Sequence, residues 1–470
     1  MSVVAGLGCA AVVVALVVRA YPNYDTYYAL VWGRELLDGH VPSYTAFAAP
    51  TPHPLLTIVG AVAGVFAGGH GDRVIIALCA LAFAGLAHGV YRLGAAMANH
   101  VIGVVAALLV LSSPTFLEYV SRGYVDVPFL ALVVWAAVMV AERPASAGPA
   151  MSLLGVAGLL RPEGWTLAGL LWLWHARRSK ALRPRLLAGA LVAPALWGLS
   201  DLVVTGDPLY SLHATDTIAE TFEFSRGIGE VPGSFVAFVG EMVRAPVLLA
   251  AIAGGALAWR WRRQLRALHV AGALFGSGAA TFAITGVAGL PVLQRFVTVP
   301  AVVVCLLAAL LLAGWTLVLS ASDRRATPMS VAFVALVIGG VTYATARSEE
   351  ASRLARDVRY FVAVHDDLHA ILDIPAVTAA RACGPVSLPT HRQLPDVRWA
   401  LDTDRNAVVS RADASRAALA RRGGVALVAL GRSVRTIGRV EGLPRGTNIA
   451  PAGFAEVARN ATFAAYVRCP

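Results

Sequence analysis

The chain has 470 residues, 57% of them hydrophobic and 14% charged, with a formal net charge of +11. That composition excludes an ordinary soluble enzyme. The basic residues cluster in short loops between apolar runs, so the charge reads as a membrane-topology signal and not as a nucleic-acid surface.

In chain order, residues 3–18 carry no charge and predict a first transmembrane helix just long enough to cross. No small-residue cleavage site follows, so this helix is expected to stay as an anchor. Asp25 comes next, at the membrane surface. From 26 to 38, Tyr28, Val31, Trp32 and Leu36 recur at helical spacing, with Arg34, Glu35 and Asp38 between them. The pattern predicts a short amphipathic helix lying on the membrane, capped by Gly39, its Trp and Tyr residues forming an interfacial belt. Asp25 reads as the N-cap of that helix, as a carboxylate facing a site, or as both. The Pro52-His53-Pro54 turn then leads into an apolar run, 55–66, that is too short to cross.

Further spans are expected at 74–90, 101–117, 129–140, 151–160, 166–174, 186–205, 246–259, 267–288, 297–319 and 331–345, about eleven in all. A polar stretch, 206–241, interrupts them. If the Arg-rich loops near 92, 143, 177–185, 260–266 and 324–325 are cytoplasmic, the N-terminus is cytoplasmic and the C-terminus outside. Asp25, Asp72, Asp126, Glu163, Asp216 and Arg295 then share the outer face. The expected fold class is an all-α polytopic membrane module, residues 1–346, followed by a small extracytoplasmic α/β domain, residues 347–470. In that tail, helical patterns at 352–372 and 412–421 alternate with strand-like runs at 386–388, 425–430 and 464–467. It contains no Walker loop, no GxGxxG and no zinc-ligand spacing. Cys9, Cys79 and Cys305 lie in apolar runs, whereas Cys383 and Cys469 are placed in the tail, where an oxidising compartment would let them pair.

Ionisable residues at membrane depth are costly, so each asks for a reason. Asp126 stands before a span, either as a carboxylate on a helix N-terminus or as a site residue. Arg161 and Glu163 flank a proline between two short runs and suit a mutual ion pair. Arg295 lies between two apolar helices, where it can snorkel or bind a phosphate. His53 is a turn residue or a ligand. With Tyr28 and His213 added as substrate contacts, the set suits an anionic lipid and a neutral hydroxyl. Carboxylates would act as general base and cations would hold the leaving group.

On these residues the chain resembles the GT-C superfamily of integral-membrane glycosyltransferases, in particular aminoarabinose transferases, protein O-mannosyltransferases and actinobacterial mannosyl- and arabinosyltransferases. The likeness lies in the order and spacing of Asp25, the short helices at 26–38 and 55–66, Pro52-His53-Pro54, Asp126-Val127-Pro128 and Arg295-Phe296…Pro300. It covers roughly residues 1–345. It implies inverting transfer of a sugar from a polyprenyl-phosphate donor to an extracytoplasmic glycan, lipid or protein, at the plasma membrane. Asp25 would be the base on the acceptor hydroxyl and Asp126 a second acid near the acceptor or a metal. Arg295 and His53 would contact the donor phosphate, although His replaces the Lys frequent at that turn. Metal dependence varies in the superfamily, so Mg²⁺ or Mn²⁺ stays open. The Ala-, Val- and Arg-rich, Lys-poor composition suggests a GC-rich bacterium, for which the resemblance implies mannose or arabinose on decaprenyl phosphate. A lipid or sugar transporter is the alternative; it should show a second broken helix matching the one at Arg161–Glu163, and none is legible.

Overall fold

The computed structural model describes residues 21–145, 147–221, 225–319, 326–431 and 446–469. The expected first span and the basic loop at 324–325 lie outside these residues.

Two short helices open the described chain, α1 (Tyr24–Leu37) and α2 (Pro54–Ala67). Asn23 is the N-cap of α1, its side chain accepting from the Thr26 N–H, the usual role of a short polar side chain there. The capping role expected of Asp25 is therefore taken by its neighbour. Gly39 follows the helix at φ +74°, as a C-terminal glycine should.

α3 (Gly71–Met97) is the first long apolar helix. The run expected as one span over 101–117 is broken into α4 (His100–Leu111) and α5 (Pro114–Ser121), bent by 62°. Ser113 caps the new helix and Pro114 occupies its first turn, a combination that starts a helix rather than continuing one. Next come α6 (Asp126–Glu142), the pair α7 (Ala147–Leu160) and α8 (Glu163–Ala176) on either side of Arg161-Pro162, and α9 (Arg183–Thr205). The polar stretch carries α10 (Tyr210–Thr221) and α11 (Val231–Val243), and α11 turns by 109° into α12 (Ala245–Arg260). α13 (Leu268–Val287), a 3-10 turn (Gln294–Val297), α14 (Thr298–Ala313) and the short α15 (Trp315–Leu319) complete the bundle. The span at 331–345 and the tail helix at 352–372 are one helix, α16 (Ala326–Leu372), so residues 346 and 347 fall inside it. Among the described residues four helical runs are long and apolar enough to cross a membrane, or six if each bent pair counts as one span.

After α17 (Pro375–Ala380) the chain forms β1 (Val386–Leu388), α18 (Leu394–Leu401), β2 (Val408–Ser410), α19 (Ala417–Arg422), β3 (Gly424–Ala429), β4 (Ala455–Arg459) and β5 (Phe463–Arg468). The sheet order is β2-β1-β3-β5-β4, parallel through β2-β1-β3 and antiparallel through β3-β5-β4. Cys383 and Cys469 are joined by a disulfide, with Cα atoms 5.2 Å apart.

α1 contributes to all three apolar cores. Ala29 joins the helical bundle; Tyr27, Leu30 and Val31 pack with Ile75 of α3 and with Trp399; Tyr28 and Trp32 pack under the sheet with Leu388, Val397 and Leu427. Trp32 and Tyr28 are 1% and 0% exposed. The expected interfacial belt is thus a buried seam, because the sheet unit covers the face of α1 that would otherwise meet the membrane surface. Gly33 of α1 and Gly60 of α2 let these helices cross backbone to backbone; a Cβ at either would strike the other's main chain.

Candidate active site

The loop after α5 folds over the start of α1. The Asn23 backbone N–H and Nδ2 donate to the Arg122 carbonyl at 2.8 and 3.1 Å, and the Thr26 hydroxyl donates to the Gly123 carbonyl at 2.8 Å. These bonds fix the first turn of α1, with Asp25, against the chain leading into α6, with Asp126. The 3-10 turn before α14 brings in Arg295, whose charge bears on both aspartates.

Arg295 Nη1 donates to Asp25 Oδ2 at 2.8 Å, and both side chains are about one-fifth exposed, 22% and 19%. The second cluster is deeper. Arg161, 1% exposed, donates to Asp126 Oδ1 and to Glu163 Oε1, and its guanidinium lies 5.7 Å from the Phe129 ring and 5.3 Å from the Phe296 ring. The pair anticipated between Arg161 and Glu163 is a triad that also neutralises Asp126. Among the described residues, Asp126 Oδ2, Glu163 Oε2 and Arg295 Nε are buried without a protein hydrogen-bond partner. Buried polar atoms rarely stay unpaired, so these mark where a polar ligand or water would bond.

Asp25 is held below the usual carboxylate range. Burial, the largest single influence, would raise it, but the Arg295 charge and hydrogen bond together with the charge of Arg392 bring it down. His53 is the N-cap residue of α2, 6% exposed and edge-on to Trp197, with centroids 5.7 Å apart. Burial, then Arg295, pushes its pKa down to about 3. Such a shift favours a neutral imidazole at the turn, able to contact a ligand by hydrogen bonding.

Of the expected contacts, His213 is exposed on α10, its Nδ1 2.6 Å from Asp207 Oδ2, and Tyr28 is enclosed with Trp32 and Tyr44 beneath the sheet, edge-on to Tyr24 at 5.1 Å. Two residues absent from the sequence reading come in from the sheet unit. The His391 ring lies edge-on to Tyr24 at 5.4 Å, and the Arg392 guanidinium stands 5.5 Å from the Tyr24 ring, where its charge also helps hold Asp25 ionised. No local motif marks them; only the docking of the loop after β1 puts them there.

No family model matches the chain, and no curated protein is similar to it in sequence. The backbone is similar to ArnT from Cupriavidus metallidurans bound to undecaprenyl phosphate, with a TM-score of 0.57 at 14% identity, over 99% of this chain and 97% of that one. The apo state of ArnT from the same organism gives a TM-score of 0.55 at 14% identity, over the same shares. The fold is GT-C. At this identity the likeness speaks to fold, and it extends the expected resemblance from residues 1–345 to the whole chain, sheet unit included. In this membrane protein Asp25, Asp126, Arg161, Glu163, Arg295 and His53 gather where the short helices α1 and α2 meet the bundle.

Proposed function

We propose that this chain is a membrane glycosyltransferase that moves a sugar from a polyprenyl-phosphate donor to an extracytoplasmic acceptor hydroxyl, with inversion at the anomeric carbon. The observation that carries this reading is the Asp25–Arg295 pair: an ionised, half-buried carboxylate beside a guanidinium with a free buried N–H. ArnT, of the same fold, is described bound to undecaprenyl phosphate, which supports a polyprenyl donor here.

The acceptor O–H gives its proton to Asp25 as its oxygen bonds the anomeric carbon. The bond from that carbon to the phosphate oxygen breaks, and polyprenyl phosphate leaves with the electron pair. Arg295 serves that phosphate, since a guanidinium matches phosphate geometry and its charge meets the charge that develops. The ion pair to Asp25 stations Arg295 before donor arrives, which lowers the reorganisation required. Asp126, clamped by Arg161, offers its free Oδ2 to a sugar or acceptor hydroxyl. Both aspartates already face arginines, a donor set that does not suit a resident Mg²⁺ or Mn²⁺, and no step is routed through one. Mannose or arabinose is the proposed sugar, with the sheet unit and the α1–α2 layer outside the cell.

The test is transfer from a panel of radiolabelled polyprenyl-phosphate sugars to a cell-envelope acceptor, with detergent-purified protein. Asn23 keeps capping α1 in Asp25→Asn, so that variant should fold and bind donor while transfer falls by about 10²- to 10⁴-fold, the usual worth of a general base. Equal rates in variant and wild type would remove Asp25 from the chemistry. A wild type that consumes none of the donors would move the assignment to lipid transport.

A further inference from the structure

A second cluster of chemistry-bearing side chains lies away from Asp25, where α16 meets the sheet unit. His365 and His369 are four residues apart near the end of α16 and therefore share a face. Their ring centroids are 4.1 Å apart. Facing them is Asp396, in the first turn of α18 and 5% exposed. Asp396 Oδ2 lies 2.8 Å from His365 Nδ1, and Asp396 Oδ1 lies 2.8 Å from His369 Nε2. One donor atom from each of the three residues falls within 4.8 Å of the others.

A tetrahedral zinc with bonds of about 2.0–2.2 Å spaces its donors about 3.3 Å apart. Small rotations of the three side chains therefore close them on one ion. The surroundings hold the rings in place: His365 stacks on Tyr21 at 5.3 Å and on Tyr27 at 6.2 Å. Asp72, in the first turn of α3, is the independent observation. Its Oδ1 is buried without a protein hydrogen-bond partner, and its charge bears on both His365 and Asp396. Hydrogen bonds from two imidazoles satisfy Asp396 but leave that oxygen unused.

We propose that His365, His369 and Asp396 form a divalent-metal site, with Asp72 as the adjacent carboxylate. Two imidazoles and a carboxylate suit zinc better than magnesium or calcium, which prefer all-oxygen sets. The ion would join two parts of the chain, the long helix leaving the bundle and the sheet unit. It would act as a clamp that seats the sheet unit over α1, independently of the transfer chemistry proposed above.

The experiment uses the full chain in detergent, stripped with a chelator, re-equilibrated with zinc and freed of excess metal. Elemental analysis should find one zinc per chain, and the zinc X-ray absorption edge should show two imidazole ligands. The Asp25 site offers His53 and, beside Tyr24, His391, so His369→Gln, which touches neither, distinguishes the clamp from that site. Zinc should also raise the unfolding midpoint by several degrees. His369→Gln, at a side chain one-third exposed, should lose the retained zinc and the shift together. Wild type without retained zinc, or zinc bound by fewer than two imidazoles, overturns the proposal. So does a folded His369→Gln that retains zinc like wild type. If that variant does not fold, the absorption edge of wild type decides alone.

Discussion

Asp25 stays ionised and His53 stays neutral at pH 7, for different reasons. Burial opposes the charge on Asp25, and Arg295 with Arg392 overcomes it. For His53, burial and Arg295 both disfavour the imidazolium. His391 is likewise pushed down to about 3, by burial and then by Arg392. Unfolded histidine takes up its proton near pH 6.5, whereas the fold refuses it until about pH 3. Between those values the unfolded chain binds more protons, so stability is lost as pH falls through that window. Asp25 adds to the loss only below the ordinary carboxylate range near 3.9. His365 works the other way, because Asp396 holds its proton on against burial. The drop in unfolding midpoint from pH 7.5 to pH 5 should therefore be smaller in His391→Gln than in wild type, and an equal drop would contradict a neutral buried His391.

At the scale of elements, the α1–α2 crossing is the sensitive joint. Helix packing inside a membrane gains little from burial alone, so close approach of small residues matters more than apolar area. Gly33 and Gly60 supply that approach where the two helices cover the bundle. Gly33→Ala would push its methyl into the α2 backbone at Ala61, which cannot move aside as a side chain could. Overpacking of this kind costs about 1–3 kcal/mol. The expected outcome is a lower unfolding midpoint together with weaker donor binding, because Asp25 and His53 stand on the helices that would be forced apart. Donor titration by fluorescence, alongside the thermal melt, checks both parts.

For the whole molecule, the sheet unit is coupled to the bundle through charges that would otherwise be costly to bury. Arg398, 1% exposed, donates to Ser43 Oγ at 3.0 Å and to Glu35 Oε1 at 2.6 Å, while Arg34 donates to the carbonyls of Arg398 and Trp399. Arg398→Ala takes the guanidinium from the partly exposed Glu35, which keeps the Ser43 N–H at 2.7 Å; the change should cost less than the ~3–5 kcal/mol of a fully buried pair. Its expected readout is early proteolytic release of the sheet unit. The disulfide acts on the other side, closing a loop with a sequence separation of 86. Cys469→Ser should cost about 2–4 kcal/mol, matched by wild type melted in reductant. A Cys469→Ser melt identical to that of untreated wild type would show the bond to be idle.

The sequence by itself determined the class of protein, most of its apolar helices and which buried charged residues needed partners. Long uncharged runs can only be buried or placed in lipid, and an ionised side chain between them must have a partner. Asp25, Asp126, Arg161, Glu163 and Arg295 were legible for that reason, as were β1, β3 and β5. Only the tertiary structure decided the partners: Arg295 for Asp25, Arg161 for both Asp126 and Glu163, and Asn23 as the true cap. β4 is mostly exposed and so carries no apolar pattern to read; β2 is as short and as buried as β1, and nothing local explains why only β1 is read from the sequence. His391 and Arg392, and the His365–His369–Asp396 cluster, come together through the docking of the sheet unit on α1 and α16. Pairings between distant segments are set by packing, and no local spacing in the chain encodes them.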